Sequence, residues 1–324
     1  MFFKRSAIKR LRKAADQGDA DAQFSLSQMY GAGDQVHEDY AEAAKWCLKA
    51  AEQGHREAQF SLGIMYQEGV GVEMDYRQAL IWYGKAADQG FALAYSKFGL
   101  FYKNGWGVPQ DYTESANWYR RAAEEGHWAS QYNLGIAYEQ GWGVAQDQGE
   151  ALKWYLQAAE QGVQDAQFNA GNMFLNGQGV TQDHRKAMHL LSQAAEQGHC
   201  GAQFLVGVMY DRGEGAPPDY ALAIKASMKW LREAAQQGQV EAQHYLGVMY
   251  AEGRPKDMTE ALEWMQKAKS GGKQTAEGYF AKAEGQALKP NNREARKWFQ
   301  LAAKQGYPDA VKNLELLEND PFFH

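Results

Sequence analysis

The chain has 324 residues, of which 45% are hydrophobic, 13% aromatic and 23% charged, and its formal net charge is −6. This composition is typical of a folded protein, and the acidic balance argues against nucleic acid as a partner, because phosphate binding requires concentrated Lys and Arg. No run approaches the roughly 18 apolar residues that a membrane-spanning helix needs, so we expect no integral membrane segment.

The first predicted element is a helix within residues 1–21. Ala7, Leu11, Ala14 and Ala15 share one face at helical spacing, and the segment matches only the second half of the later units, so we expect a capping half-unit. We interpret its basic residues as a solvated face, with contact to an anionic membrane surface as the alternative. The segment lacks the pattern of a secretory leader, which favours a cytoplasmic protein; a periplasmic or secreted protein is the alternative if a leader has been removed.

A glycine recurs at a nearly fixed distance along the chain. The separation is 36 residues up to Gly198, then 40, and then 34. The recurring glycines are Gly18, Gly54, Gly90, Gly126, Gly162, Gly198, Gly238, Gly272 and Gly306. Such a period over almost the whole chain indicates a stacked repeat architecture.

Each unit is predicted to contain two helices. In the second unit, Leu62, Met65 and Tyr66 lie on one face of the first helix, and the second helix carries Trp82 and Tyr83 at the same spacing. A large ring at this place recurs in almost every unit. We interpret it as a core wedge between the two helices and the next pair rather than as a ligand platform.

The Gly-x-Gly turn between the two helices is interpreted as structural. A dinucleotide-binding loop needs a preceding strand and a third glycine, and the sequence around Gly69 and Gly71 predicts neither. An aspartate such as Asp75 precedes each second helix and is expected to cap it, and in four units a glutamate three residues later predicts a capping box. The glycine that follows, such as Gly90, is expected to end the second helix in the left-handed conformation.

The sixth unit departs from the period. Asp219 and Trp230 are eleven residues apart, whereas Asp75 and Trp82 are seven apart. Four extra residues are close to one helical turn. We therefore predict a longer second helix that partly protrudes, and a change of curvature around residues 216–258.

The pattern "A-x-x-x-L-G-x-x-Y-x-x-G-x-G-V … D-Y-x-x-A-x-x-W-Y-x-x-A-A-x-x-G" resembles the Sel-like repeat family, which is related to the tetratricopeptide repeats. The resemblance covers more than nine-tenths of the chain. It implies an all-α fold, a right-handed α-solenoid of antiparallel helix pairs with about eight repeats and capping half-units. We predict a capping helix in 1–21, seven repeats in 22–271, a degenerate eighth repeat in 272–308, and a C-terminal capping helix and tail in 309–324.

The sequence does not favour an enzyme. Two Ser-x-x-Lys matches begin at Ser6 and Ser270, but the Ser-Asp-Asn and Lys-Thr-Gly elements of penicillin-recognising enzymes are absent. A β-lactamase-like hydrolase with an active site in a groove is therefore a distant alternative. We expect no cofactor.

Histidine and cysteine also fail to predict a site. His55, His127 and His199 recur in alternate units, and layers of helices about 8–10 Å apart keep them too far from one another to bind one metal ion. Cys47 and Cys200 are several layers apart, so we expect two independent thiols and no metal.

The surface left for function is the outward row of the first helices. In tetratricopeptide solenoids this row lines a concave groove that receives peptides, and the resemblance implies the same here. Our candidate contact residues are Phe24, Phe60, Ile64, Leu100, Tyr132, Ile136, Phe168, Phe204, Val208 and His244. The regular recurrence of an aromatic residue leaves packing between repeats open as the other explanation for this row.

The resemblance implies a non-enzymatic scaffold or adaptor that binds a protein or peptide partner on the concave face. An inhibitor or immunity-type protein for one cognate effector is the alternative within this class.

Overall fold

The computed structural model describes residues 2–34, 36–215, 220–251, 263–264, 267–268 and 270. In these ranges the protein forms fourteen α-helices and no strand, which confirms the predicted all-α class. The helices are α1 (Phe2–Asp16), α2 (Ala20–Ala32), α3 (Tyr40–Glu52), α4 (Arg56–Glu68), α5 (Tyr76–Asp88), α6 (Ala92–Asn104), α7 (Tyr112–Glu124), α8 (Trp128–Gln140), α9 (Gln148–Glu160), α10 (Gln164–Asn176), α11 (His184–Glu196), α12 (Cys200–Arg212), α13 (Tyr220–Gln236) and α14 (Val240–Ala251).

The chain divides into two compact units, residues 1–161 with α1–α9 and residues 162–324 with α10–α14. Within each unit every helix packs against the next one. Hydrogen bonds from Tyr83 to Gln67 and from Gln89 to Gln59 show that α4 and α5 are antiparallel. We call each such pair a repeat, with an even-numbered first helix and an odd-numbered second helix, so that α2 and α3 form repeat 1. The predicted antiparallel helix pairs are confirmed.

An aspartate caps each second helix from α3 to α11, as predicted. Its Oδ1 atom accepts hydrogen bonds of 2.8–3.1 Å from amides of the first turn. The capping residues are Asp39, Asp75, Asp111, Asp147 and Asp183. These bonds satisfy amide groups that have no partner within the helix.

The capping boxes predicted with Glu42, Glu114 and Glu150 are wrong in one respect, because the glutamate side chain does not bond the backbone of the capping aspartate; the box predicted with Glu260 lies outside the described residues. The backbone N–H of Asp39 donates to the carbonyl oxygen of Tyr30 in the preceding helix, at 3.0 Å. No N–H group is therefore left for the side chain of Glu42, which instead pairs with Lys45 at 3.1 Å. The same backbone bond recurs before α5, α7, α9 and α11, so it is a regular part of the turn.

Glycine is required at the turns for two reasons. Gly90 follows α5 with φ 75°, in the left-handed region that only glycine adopts without strain, as predicted. At Gly143 a side chain would also collide with the carbonyl group of Tyr112, because the turn of repeat 4 packs against the start of α7 in repeat 3. The Gly-x-Gly turn is thus a contact between repeats.

The recurring tryptophan is a core residue, as predicted. Trp82 is 7% exposed and packs in one cluster with Cys47, Ala50, Ala58 and Leu62. Two of these residues belong to α3 in the preceding repeat, so the ring lies between its own helix pair and the preceding pair. The prediction had placed it against the next pair.

A buried glutamine on the first helix joins neighbouring repeats, a feature that the sequence reading missed. The side chain of Gln59 is 5% exposed; its Nε2 donates to the carbonyl oxygen of Ala51 in repeat 1 at 3.0 Å. Its Oε1 accepts a bond of 2.7 Å from Gln89, which also donates to the carbonyl oxygen of Gly54. We call this arrangement the glutamine clasp. It recurs at Gln23, Gln131 and Gln203.

The longer second helix predicted for the sixth unit is confirmed. α13 has 17 residues, whereas the other second helices from α3 to α11 have 13. The predicted capping residue Asp219, the degenerate eighth repeat and the C-terminal half-unit lie outside the described residues.

Candidate protein-binding surface

The aromatic part of the predicted contact row also packs between repeats. In residues 1–161, the ring of Phe60 lies 5.4 Å from Tyr83 and 5.1 Å from Phe91 of repeat 3. The ring of Phe24 lies 4.8 Å from His55 of repeat 2. Both phenylalanines are only half-buried. Each ring therefore supports the scaffold with one side and reaches the surface with the other.

The remaining aromatic members of the row also support the scaffold with one side and reach the surface with the other. Tyr132 lies 5.8 Å from the ring of Tyr155 and is half-buried. In residues 162–324, Phe168 stacks on His199 at 4.3 Å. The other two members in this unit, Phe204 and His244, are half-buried on α12 and α14. Burial lowers the pKa of His244.

The aliphatic part of the row occupies the next turn of the first helices. Ile64, Leu100 and Ile136 hold the same position on α4, α6 and α8, and all three are half-buried. We call these three residues the aliphatic strip. Val208, predicted at the equivalent position of α12, is only 7% exposed because it packs in the cluster around Met228 of the longer α13. It is not part of an accessible surface.

Polar groups beside the aliphatic strip are held in place by hydrogen bonds. The hydroxyl of Tyr83 donates to Gln67 Oε1 at 2.7 Å, and Lys97 Nζ donates to the same oxygen at 3.1 Å. The hydroxyl of Tyr155 donates to Glu139 Oε2 at 2.6 Å. Burial lowers the pKa of Lys97 and raises that of Tyr83. The strip therefore has a rim of oriented polar groups.

The three recurring histidines have a structural role that sequence reasoning missed. Each precedes a first helix, and its Nδ1 accepts a hydrogen bond of 3.1–3.2 Å from an amide of the first turn. Nε2 must then carry the proton. In His55 this atom lies 3.2 Å from Asp21 of the preceding repeat, and in His199 it lies 3.6 Å from Asp165. His127 has no such carboxylate, and burial lowers its pKa.

Both cysteines are free thiols. Cys47 is buried, donates to the carbonyl oxygen of Ala58 at 3.3 Å, and has its pKa raised to about 11 by desolvation. Cys200 is exposed at the first turn of α12. Among the residues described, no three His, Cys, Asp or Glu side chains are grouped so that they could hold a metal ion.

None of the described helices is long and apolar enough to cross a bilayer.

Comparison with protein families identifies the repeats. The family model described as Sel1 repeat matches nine segments of the chain. They are residues 5–19, 20–55, 56–91, 92–127, 128–163, 164–199, 201–239, 240–273 and 278–307.

Two solved structures are similar over most of the chain. The crystal structure of c5321, a protective antigen present in uropathogenic Escherichia coli strains that displays an SLR fold, has 34% sequence identity and a TM-score of 0.82. The similarity covers 95% of this chain and 66% of c5321, so the chain spans slightly less than two thirds of that protein. A Sel1 repeat protein from Oxalobacter formigenes has 37% identity and a TM-score of 0.64, over 86% of this chain and 80% of that one. A search of curated proteins gave no match.

Proposed function

Since the chain belongs to the Sel1 repeat family, whose members are generally protein–protein interaction scaffolds, we propose that it binds a protein or peptide partner along the face of its first helices. The aliphatic strip is the centre of this surface in residues 1–161. The rings of Phe24, Phe60 and Tyr132 form its border, and Phe168, Phe204 and His244 hold the equivalent places in residues 162–324.

One observation carries the proposal. Ile64, Leu100 and Ile136 repeat at one position of three consecutive first helices and keep part of their apolar surface in water. Burying the remainder against a partner is worth roughly 1 kcal/mol for each side chain, since full burial is worth about 1.5–3 kcal/mol. A regularly spaced apolar strip with a polar rim is typical of a surface that binds a peptide segment.

The polar rim is suited to specificity. Gln67 and Glu139 are already oriented by tyrosine hydroxyls, so little side-chain entropy remains to be lost when they bind a partner. In the second unit, Tyr245 orients Asp211 in the same way, at 2.7 Å. A partner whose polar groups do not match the positions of these rim side chains would leave the rim side chains without hydrogen-bond partners.

A scaffold without catalytic activity fits the chemistry of this face. The Sel1-repeat fold is typically non-catalytic. Desolvation raises the pKa of Tyr83, so its hydroxyl stays protonated at neutral pH and cannot act as a general base. The Nδ1 atoms of His55 and His199 accept backbone hydrogen bonds, which leaves them unavailable for proton transfer.

The experiment is site-specific photo-crosslinking in the cells that make this protein. A photoreactive phenylalanine analogue replaces Leu100 or Ile136 in two test variants. In the control variant it replaces Ile81, which is 50% exposed on the second helix α5. We expect the same partner to be crosslinked from both test positions and not from the control position. One partner in stoichiometric amount would indicate an inhibitor, and several partners would indicate an adaptor.

Equal crosslinking from Ile81, or none from the two test positions, would refute a contact surface on the first helices. The fold of each variant is checked by circular dichroism, so that loss of the crosslink reports on the surface.

A further inference from the structure

The start of α6 departs from the other repeats at three alternate positions. These positions hold Phe91, Leu93 and Tyr95. The corresponding triplets before and within the other first helices are Asp19, Asp21 and Gln23; His55, Glu57 and Gln59; His127, Ala129 and Gln131; Val163, Asp165 and Gln167; His199, Gly201 and Gln203; Gln239, Glu241 and Gln243. In none of them is the second position large and apolar, and in all of them the third position is glutamine.

Leu93 and the neighbouring Trp128 are exposed to an unusual degree for apolar side chains, 40% and 51%. The position of Leu93 faces the next repeat. Its equivalents Asp21 and Asp165 reach the histidine that precedes the following first helix. Leu93 holds the equivalent position toward His127, and Trp128, the first residue of α8, stacks on the ring of His127 with centroids 6.2 Å apart.

Stability of the scaffold does not account for these two side chains. Gln131 forms the glutamine clasp between repeats 3 and 4 without either of them. The clasp is missing between repeats 2 and 3, where Phe91, Tyr95 and Phe98 pack against Ala86, Ala87 and Ala94 instead. Leu93 and Trp128 are exposed and not part of the buried core, and the ring of Trp128 stacks on His127 with centroids 6.2 Å apart. They therefore form an apolar surface that costs solvation without adding to the core.

The other large apolar side chains exposed among the described residues are Tyr40, Met74, Ile81, Tyr112 and Trp142. Three of them differ from Leu93 and Trp128 in their surroundings. Tyr112 and Trp142 stack on each other at 5.8 Å, and Lys103 lies 5.6 Å above the tryptophan ring. Ile81 is a single exposed side chain on the second helix α5. Single exposed apolar side chains are normal on protein surfaces.

Three carboxylates lie at the helix ends that precede the exposed pair in the chain. Asp88 ends α5, and the tight turn after it leads into α6 five residues before Leu93. Glu124 ends α7, and Glu125 follows it directly before the turn into α8. All three are exposed, and no carboxylate among them makes a hydrogen bond or ion pair with another described residue.

Glu125 is itself a departure from the repeat. The equivalent position holds glutamine at Gln17, Gln53, Gln89, Gln161, Gln197 and Gln237. Arg56 is neutralised by Glu57 at 2.9 Å, and Arg121, which lies over the ring of Trp118, offsets one of the three carboxylate charges. Burial keeps His127 neutral at neutral pH, so the local charge is negative.

We propose that Leu93 and Trp128, together with Asp88, Glu124 and Glu125, form a second interaction surface, which binds a basic segment of a partner protein that carries an apolar residue. A guanidinium or ammonium group can stack on the indole of Trp128 and pair with the two glutamates. The apolar residue of the partner covers Leu93. The surface lies at the helix ends, outside the aliphatic strip, so it does not depend on the function proposed above.

The test measures binding of three fluorescein-labelled peptides of equal length to the full chain by fluorescence anisotropy. The first peptide alternates Arg and Leu with Gly spacers. The second has Ser in place of Leu, and the third has Glu in place of Arg. The first is expected to bind most tightly, and its affinity should fall as salt is raised, because the ion pairs are exposed.

The variants return the surface to residues that other repeats carry. The first combines Leu93→Asp, as at Asp21, with Trp128→Ala, as at Ala92. It should weaken binding of the first peptide about tenfold, the effect of removing an aromatic anchor. The second combines Glu124→Gln with Glu125→Gln and should weaken binding about threefold, as expected for exposed ion pairs. The control Ile81→Ala removes a side chain of similar exposure elsewhere and should leave the affinity unchanged.

Three results would overturn the proposal. They are equal binding of the first peptide to the wild type and to the Leu93/Trp128 variant, equal or tighter binding of the acidic peptide, and no detectable binding of any peptide. Sedimentation of the wild-type chain is measured alongside. Self-association that Trp128→Ala abolishes would show that a second copy, and not a basic partner segment, occupies the surface.

Discussion

Replacing Gln59 with Ala should destabilise the junction between repeats 1 and 2 by about 2 kcal/mol. The side chain is 5% exposed, and its loss leaves the buried carbonyl oxygen of Ala51 without its donor. An unsatisfied buried carbonyl group costs about 1–3 kcal/mol. Loss of the buried Cγ methylene group costs about 0.8 kcal/mol more. Alanine loses no side-chain entropy on folding, whereas Gln59 does. This difference offsets a similar amount of free energy.

The matched control is Gln89→Ala. Gln89 donates to both Gln59 and Gly54, but its side chain is exposed, so water replaces the lost partner. We expect a loss of about 0.5–1 kcal/mol, typical of a hydrogen bond near the surface.

Two measurements check this prediction. Urea unfolding gives the change in midpoint, and hydrogen exchange locates the change, because stacked repeats open locally and need not unfold in one step. Exchange should accelerate at the end of α3 and the start of α4. The reasoning is refuted if Gln59→Ala destabilises no more than Gln89→Ala, or if the faster exchange is spread evenly over residues 1–161.

Three further changes test the packing, the caps and the histidines. Gly135→Ala places a methyl group 2.6 Å from ring atoms of Tyr155, so calorimetry should show a loss of about 2 kcal/mol from overpacking. Asp147→Ala removes two cap bonds of α9 and should cost about 1 kcal/mol in urea unfolding. The pKa of His127 is lowered on folding, so the unfolded chain binds more protons, and stability should fall as the pH decreases through about 6.5, its ordinary pKa. His127→Ser keeps a capping oxygen that does not titrate, so it should reduce this slope.

The glycine and aspartate changes each have a control in the chain. Gly84 lies on α5, where an added methyl group would meet only Phe98 at 3.7 Å, so Gly84→Ala should be neutral or stabilising through helix propensity. Asp88 caps no helix, and Asp88→Ala should not destabilise. An acid slope that His127→Ser leaves unchanged would contradict the assignment to His127.

The helix ends were predictable from the sequence because their chemistry is local. Asp75 caps an amide three residues away, and Gly90 ends a helix through its own backbone angle. The glutamine clasp was not predictable in this way. It joins atoms eight and thirty residues apart, and only the stacked structure shows that Gln59 meets both Ala51 and Gln89.

The candidate surface was predicted less well because a helical wheel describes one helix at a time. Ile64 and Val208 hold the same position of the wheel, yet Val208 is buried by Met228, a residue of the lengthened α13. The prediction for the aromatic row is limited in the same way, since the wheel does not show that Phe60 also contacts Phe91 of the next repeat. Depth of burial therefore depends on the neighbouring helices, which the wheel leaves out.

A repeat protein provides its own comparison for each position. A residue that recurs in most repeats, such as Gln59 or Trp82, meets equivalent neighbours, and packing is sufficient to explain it. A residue that occurs once, stays exposed and adds nothing to the core needs another explanation. Leu93 and Trp128 meet all three conditions, and the carboxylate that replaces glutamine at Glu125 lies in the same junction. By this reasoning the strongest evidence for selective binding lies where repeats 3 and 4 depart from the others, because the recurring aromatic rings are already required to hold the repeats together.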